Sequence, residues 1–512
     1  MSARPGLVRR HSVLLIVLAA AALVGPLAWF WASSLVPSTY SVMDVGDADS
    51  GGGQADPAYL GGQGGHAAEA ASGLTSLATL AGPVRGTPDV QVTLVARSER
   101  FRLASGEQVD GYTLNHTSPG PTITVRQGQL LQVTLVNESV ADGVTLHWHG
   151  VDVPNAEDGV AGVTQDAVRV GHSHVYRFVV PDVGTYWYHS YQLAHRQVPQ
   201  GLFGALVALP RIGTANPSAT AGPAVDQMAL VHTYEGLRTI NGRVGESRVD
   251  APAGSTVRVR FINTDESQLR VTTVGAPFRL AATDGHAVSR PGLVRDRVVS
   301  VGAGGRADLL VVTPSDGSAV RLAVGSGTTS LVVGPPGAAA PAAAPPGQPQ
   351  LDLLRYGEPE RLPFDPQLAD RRFTFSIGRR LGLHDGRPGL WWTVNGRIHP
   401  STPMFVVSQG DVVRLTVSNH SGQAHSLHLH GHHAVVLSRD GEQVAGSPWW
   451  VDTLVVEDGA TYDLAFVADN PGIWAVHCDD VRHAAQGLVA HLVYTGVGEP
   501  FRIGGPVGNQ PN

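Results

Sequence analysis

One decapeptide occurs three times, and it constrains the fold more than any other feature of the chain. Gly128–Asn137, Gly254–Asn263 and Gly410–Asn419 all fit the pattern G-x-x-[LV]-x-[VL]-x-[LFV]-x-N. Their starts lie 126 and 156 residues apart, so each repeat marks a domain and not one turn of a solenoid. Inside each copy apolar and polar residues alternate. Leu131, Val133 and Leu135 oppose Gln132 and Thr134, Val257, Val259 and Phe261 oppose Arg258 and Arg260, and Val413, Leu415 and Val417 oppose Arg414 and Thr416. A period of two is the mark of a half-buried strand. The 62 Gly and 35 Pro, with aromatics at only 6%, suit a turn-rich β protein. The expected fold is all-β, with three tandem Greek-key β-sandwich domains over 86–212, 222–335 and 371–500.

Residues 1–37 read as a signal or transmembrane segment. Arg4, Arg9 and Arg10 precede an uncharged run from Ser12 to Val36, and a bilayer crossing needs about 20 apolar residues. The cationic flank holds the N-terminus inside and sends the remainder across. The run exceeds a usual signal core and no A-x-A site follows, which favours a retained anchor over a cleaved signal. Arg9-Arg10 also fits a twin-arginine export signal. The protein is therefore expected to be extracytoplasmic, membrane-anchored, or secreted if the segment is cleaved. Residues 38–85 are rich in Gly, Ala, Ser and Asp and read as a flexible linker. Residues 336–370, opening on an Ala/Pro/Gly-rich stretch, read as an interdomain linker.

Composition removes several function classes. A net charge of -7 gives no basic surface for nucleic acid. Every basic residue besides His is Arg, which excludes a lysine nucleophile, a Schiff-base enzyme and a P-loop lysine. A single Cys excludes an internal disulfide framework.

Histidine is the outlier. Nine of the 22 fall between His420 and His491, where Cys478 also sits. After the first repeat comes His147-Trp148-His149, after the third His428-Leu429-His430, and after the second Thr272-Thr273. Gly184 precedes His189 by five residues as Gly472 precedes His477. Strand residues i and i+2 point the same way, so each His-x-His pair aims two imidazoles at one point. Neutral imidazole suits copper, zinc, iron or nickel. His425, Cys478 and His483 form a two-His, one-Cys set of the kind that selects copper through its soft thiolate. The first and third domains then carry the chemistry together, and the middle domain reads as a spacer.

These residues resemble the multicopper oxidases, the laccase-like proteins with three cupredoxin domains. The resemblance rests on His147-Trp148-His149-Gly150, Gly184 to Tyr191, His425-Ser426-Leu427-His428-Leu429-His430-Gly431, and His477-Cys478-Asp479 with His483 and Leu488. It spans roughly residues 86–500 and takes in Pro119-Gly120-Pro121, Asp158-Gly159-Val160, Thr283-Asp284-Gly285 and Val394-Asn395-Gly396. It implies copper as cofactor. His425, Cys478 and His483 would bind the type 1 copper, with Leu488 at the axial place where a methionine would lower the potential. His147 and His428 would bind the type 2 copper. His149 and His189 would bind one type 3 copper, and His430 and His477 the other.

Two positions depart from the family pattern: Tyr191 and Asp479 stand where it has histidines. Either they ligate copper through phenolate and carboxylate, or His195 or His433 takes over, or the trinuclear site is partly or wholly empty. The resemblance implies one-electron oxidation of a donor at the type 1 copper, coupled to reduction of dioxygen at the interdomain cluster. The donor class is open among a small molecule, a metal ion and a protein. The rival reading is a type 1 electron-transfer or copper-binding protein with a degenerate trinuclear site. A zinc hydrolase is disfavoured, because no Glu accompanies the His-x-His pairs as general base.

Overall fold

The three repeats form strands over Leu130–Asn137, Thr256–Asn263 and Val412–Asn419. The structure, a computed structural model, describes residues 5–53, 74–213, 223–325 and 328–511. Each repeat strand lies between one parallel and one antiparallel neighbour. The first sits between Val90–Arg102 and Ser173–Val179, the second between Val225–Tyr234 and Arg306–Val312, the third between Arg371–His384 and Thr461–Val467. The motif's two invariant residues have a physical cause. Gly128, Gly254 and Gly410 take positive φ of 79°, 71° and 91°, where a side chain would be strained. Asn137, Asn263 and Asn419 are buried, and each side-chain amide donates to a carbonyl of the loop that follows, Val140 at 2.9 Å, Ser267 at 2.8 Å and Gln423 at 2.6 Å, and to a second one from a distant segment, Val168, Gly302 and Val456.

Each repeat strand belongs to one of two facing sheets, so the expected all-β, cupredoxin-type fold is the observed one. In the first unit the second sheet runs in the order Gly120–Arg126, Phe203–Leu209, Gly184–His189, His147–His149. In the third it runs Pro403–Val407, Val489–Tyr494, Ile473–Cys478, His425–Leu429, Thr453–Val456. All but one of the histidine pairs and their partners thus sit on two inner sheets. His189 is directly opposite His147, and His477 opposite His428.

The expectation of a flexible linker over 38–85 does not hold for its described ends; residues 54–73 lie outside the described residues. Asp47–Asp49 adds as a parallel strand to the edge strand Pro403–Val407. Thr39–Tyr40 pairs with Ile503–Gly504, and Thr75–Ser76 with Val497–Gly498. Val42 and Leu77 enter the core of the third domain. The physical reason is that the third domain leaves an edge strand and a C-terminal extension with unpaired backbone groups, which these segments satisfy. Residues 336–370 carry little regular structure, yet Leu354 is fully buried and the Tyr356 hydroxyl donates to the Gly292 carbonyl at 2.7 Å. The N-terminal helix Pro5–Ala32 has a stretch, Leu15–Ala32, of mean hydropathy 2.1 with none of it buried, long and apolar enough to cross a membrane.

Candidate metal centres

The first centre lies within the third domain. Cys478 ends the strand Ile473–Cys478, His425 begins its neighbour, and His483 sits on the short helix Val481–Ala485, whose N-terminus is capped by Asp480. Nδ1 of His425 is 3.5 Å from Cys478 Sγ and Nδ1 of His483 is 3.8 Å from it. A metal with bonds of about 2.0–2.3 Å to N and S gives edges of this length. The far nitrogens are held: Ser421 Oγ lies 2.8 Å from His425 Nε2, and Asp480 Oδ2 lies 3.3 Å from His483 Nε2. Burial, with the partner His for His425 and the nearby Arg379 for His483, lowers both imidazoles to about 4. They are neutral near pH 7, as ligands must be. Burial pushes the Cys478 thiol well up, so only a bound cation would make a thiolate here. Leu488 is fully buried beside it, and its carbonyl accepts the Cys478 N–H at 3.2 Å. Trp392 covers the pair, with ring centroids 4.8 Å from His425 and 4.4 Å from His483.

The second centre lies between the first and third domains. The two His-x-His strands meet face to face, with His147 stacked on His430 at 3.9 Å and His149 on His428 at 3.7 Å. Five imidazoles commit Nδ1–H to fixed acceptors. His147 donates to the Asp158 carbonyl at 3.1 Å, His189 to Ser190 at 3.0 Å, His428 to Asp452 at 2.9 Å and His477 to Cys478 at 3.1 Å. His430 donates to the Asp158 carboxylate at 3.0 Å. That leaves each Nε2 as a bare acceptor. Those of His147, His189 and His428 are buried without a hydrogen-bond partner, and those of His430 and His477 face each other at 2.9 Å. His149 is reversed: its Nε2 meets Thr453 Oγ1 at 3.0 Å, and Nδ1 is the orphan. Buried acceptor nitrogens converging without a donor are costly unless cations share them. Burial holds His149, His189 and His430 well below the ordinary imidazole range and His477 at about 3. The donor set fits a soft or borderline transition metal such as copper.

Tyr191 and Asp479 both reach this cluster. The Tyr191 ring lies 5.1 Å from His430 and 5.4 Å from His477, and its buried hydroxyl has no hydrogen-bond partner. Burial, then the charges of Asp158 and Asp479, raise it well above the usual phenol range. Thr453 Oγ1 lies 3.3 Å from Asp479 Oδ2, and burial followed by Asp452 pushes that carboxyl well above the usual carboxylate range. His195 sits on the short helix Ala194–Gln197. His433 does not fill either place. His433 is 3.2 Å from each of Asp152 and Asp452, and its ring lies 4.3 Å from His286.

The middle domain is more than a spacer, which corrects the sequence reading. Its Arg306 is buried at the three-domain junction, donating to the Thr185 carbonyl at 3.1 Å and to Asp452 Oδ1 at 2.6 Å. Asp452 in turn supports His149 and His428. Gly304, at φ +74°, lies so close that a Cβ would come 2.8 Å from His149 and collide with Asp479. Sequence reasoning missed Asp452, Thr453, Arg306, Gly304 and Trp392. None carries a local signal, because each acts through partners far away in the chain, and an Asp such as Asp452 before a strand reads as a turn residue.

Two sequence models of known families, both described as multicopper oxidase, match residues 96–212 and 372–496. Multicopper oxidase MmcO of Mycobacterium tuberculosis is 26% identical over 458 residues, covering 79% of this chain and 87% of its own. Laccase-4 of Trametes villosa is 25% identical over 455 residues, covering 74% and 86%. Among solved structures, a multi-copper oxidase from Pseudomonas thermotolerans is 27% identical, with a TM-score of 0.65 over 80% of this chain and 100% of its own.

Proposed function

The chain belongs to the laccase-like multicopper oxidases, and from that premise we propose that it oxidises a donor one electron at a time beside His483 and delivers the electrons to dioxygen between domains one and three. It is a copper-dependent oxidoreductase. His425 Nδ1, Cys478 Sγ and His483 Nδ1 would hold one copper, and the orphan nitrogens of His147, His149, His189 and His428, with Nε2 of His430 and His477, would hold the others. Bound copper supplies one-electron redox chemistry that no side chain here provides.

The chain's own part is positioning. His477 and Cys478 are consecutive strand residues, so their side chains leave on opposite faces, one into each centre. The link between the centres is therefore a few covalent bonds. His483 is the ligand of the triad nearest solvent, its side chain 16% exposed, which makes its edge the entry point for the donor. Asp158 accepts from both His147 and His430 and so holds the two domains' imidazoles in register. Burial pushes both the Tyr191 hydroxyl and the Asp479 carboxyl toward their protonated forms, the forms that can donate a hydrogen bond to what binds in the cluster. The observation that carries the reading is the pair of Sγ–Nδ1 distances in the triad, on the same strand as His477.

Donor and location belong to the same proposal. The donor is a small phenol-like molecule or a metal ion, with a protein donor as the outcome if neither is turned over. Leu15–Ala32 anchors the chain, with the β domains on the extracytoplasmic face. The test is to load the full chain with copper, count metal, record absorption and electron paramagnetic resonance, and follow oxygen uptake with a phenolic donor. Copper in both centres with oxygen consumed supports the proposal. Copper in the triad alone with no oxygen uptake replaces it with electron transfer.

A further inference from the structure

The hairpin of Arg371–His384 and Arg387–Val394 has one covered face and one bare face. On the covered face Arg380 donates to the Gly396 carbonyl at 3.1 Å, and His384 Nδ1 donates to the His399 carbonyl at 2.9 Å. On the bare face Leu381 is directly opposite Leu390, and Leu383 opposite Pro388. Leu381 is 81% exposed and Leu390 54%. Cross-strand apolar pairs normally face a core, so this one lacks its cover. The same face continues inward to Trp392, the residue over His425 and His483, with the Arg379 guanidinium 3.9 Å from its ring.

The tip of the hairpin meets the foot of the N-terminal helix. The Asp385 N–H donates to the Ser34 carbonyl at 2.9 Å, and the Gly386 N–H to Ser34 Oγ at 3.2 Å. Gly386 lies against Trp31, where a Cβ would come 2.7 Å from the indole nitrogen. In a spanning helix, Trp29 and Trp31 mark the headgroup level. The turn is therefore held at the membrane surface, and the chain leaves the bilayer beside the bare face.

We propose that this face lies on the outer surface of the bilayer, with Leu381 and Leu390 among the upper acyl chains and Arg379, on the same face, at the level of the phosphates. The proposal rests on the anchor reading above. Two observations select lipid as the occupant: the tip is bonded to the foot of the apolar helix, and the exposed apolar pair shares its face with a cation, Arg379, two residues from Leu381. Exposed leucine pairs bordered by cations suit an interface of acyl chains and anionic headgroups. This seats Trp392, and behind it the triad, beside the headgroup layer.

The test uses the copper-loaded full chain carrying Leu381→Cys, Leu390→Cys or, as control in the middle domain, Leu293→Cys, which replaces a residue 62% exposed. The only native thiol, Cys478, is buried, so an environment-sensitive fluorophore labels the new site. Each protein is placed in phosphatidylcholine–phosphatidylglycerol vesicles, with and without spin-labelled lipid. The expected result is a blue shift and quenching by spin-labelled lipid at 381 and 390, and neither at 293. Labels at 381 and 390 that behave like the one at 293, in chains that resist carbonate extraction, overturn the proposal alone. A blue shift without lipid quenching, as a second copy over the face would give, also overturns it. Release of the chain by carbonate overturns the anchor reading and this proposal with it.

Discussion

The two centres share a strand but are built by different rules. The triad is made by one domain: His425, Cys478 and His483 lie within one sheet and the helix that follows it. The interdomain cluster is made by three domains, with imidazoles from the first and third and the buried Arg306 of the second bracing Asp452 beneath them. The triad keeps the family's complete His-Cys-His set. The cluster carries Tyr191 and Asp479 where the family pattern has histidines. A site inside one domain is as stable as that domain, whereas a site at a junction also depends on how the domains dock.

Four experiments would break or sharpen that contrast. The largest effect is expected from Cys478→Ser, which removes the soft ligand of the triad. Donor oxidation should fall to background and the thiolate absorption should vanish, while copper bound to the cluster histidines stays. Oxidation at the parent rate in this variant would mean that electrons enter elsewhere.

Next comes Asp452→Ala. It breaks the buried Arg306–Asp452 pair and leaves Arg306 with Asp284 at 3.5 Å as its remaining carboxylate, and breaking a buried ion pair costs about 3–5 kcal/mol. It also removes the carboxylate that lies 3.4 Å from both His149 Nε2 and His428 Nδ1, and losing such support weakens metal binding about 10–100-fold. Denaturant unfolding and copper titration should show both losses, with the triad's spectrum unchanged. A cluster that keeps its copper would show that the junction matters less than the geometry suggests.

A gain is expected from Tyr191→His combined with Asp479→His. Two more imidazoles should tighten copper in the cluster by on the order of tenfold or more, with faster oxygen uptake per chain. No change in either quantity would show that the parent cluster already binds and works at full strength. The smallest effect is expected from Ser421→Ala. Losing the 2.8 Å contact to His425 Nε2 should cost about 1 kcal/mol. The triad's spectrum should shift slightly and the cluster should not respond.

How much of this was legible depends on whether the cause is local. The alternating decapeptides are strands because their period matches the pleat, and their Gly and Asn serve the turn just before the strand and the loop just after it. The His-x-His pairs aim two imidazoles together for the same local reason. The positions of Tyr191 and Asp479 in the cluster also follow from spacing, since each lies within two residues of the end of a strand whose register is set by apolar residues before it. The segment over 38–85 misled, because its Gly and Ser content outweighed the few apolar residues, Tyr40, Val42 and Leu77, that anchor it. Composition averages over a stretch, but docking needs only a few side chains and an open sheet edge.

By itself, the sequence determined three β domains, an apolar N-terminal helix, and a strand whose neighbours His477 and Cys478 must face opposite ways. Each follows from residue order within a single strand or helix. Only the tertiary structure decided which imidazole nitrogen is free, that His149 is turned over relative to its companions, that Arg306 and Gly304 of the middle domain brace the cluster, and that the hairpin tip rests against the foot of the helix. Those features depend on which carbonyl, carboxylate or hydroxyl arrives from a distant part of the chain. Such partners are set by how domains pack, and no local periodicity encodes them.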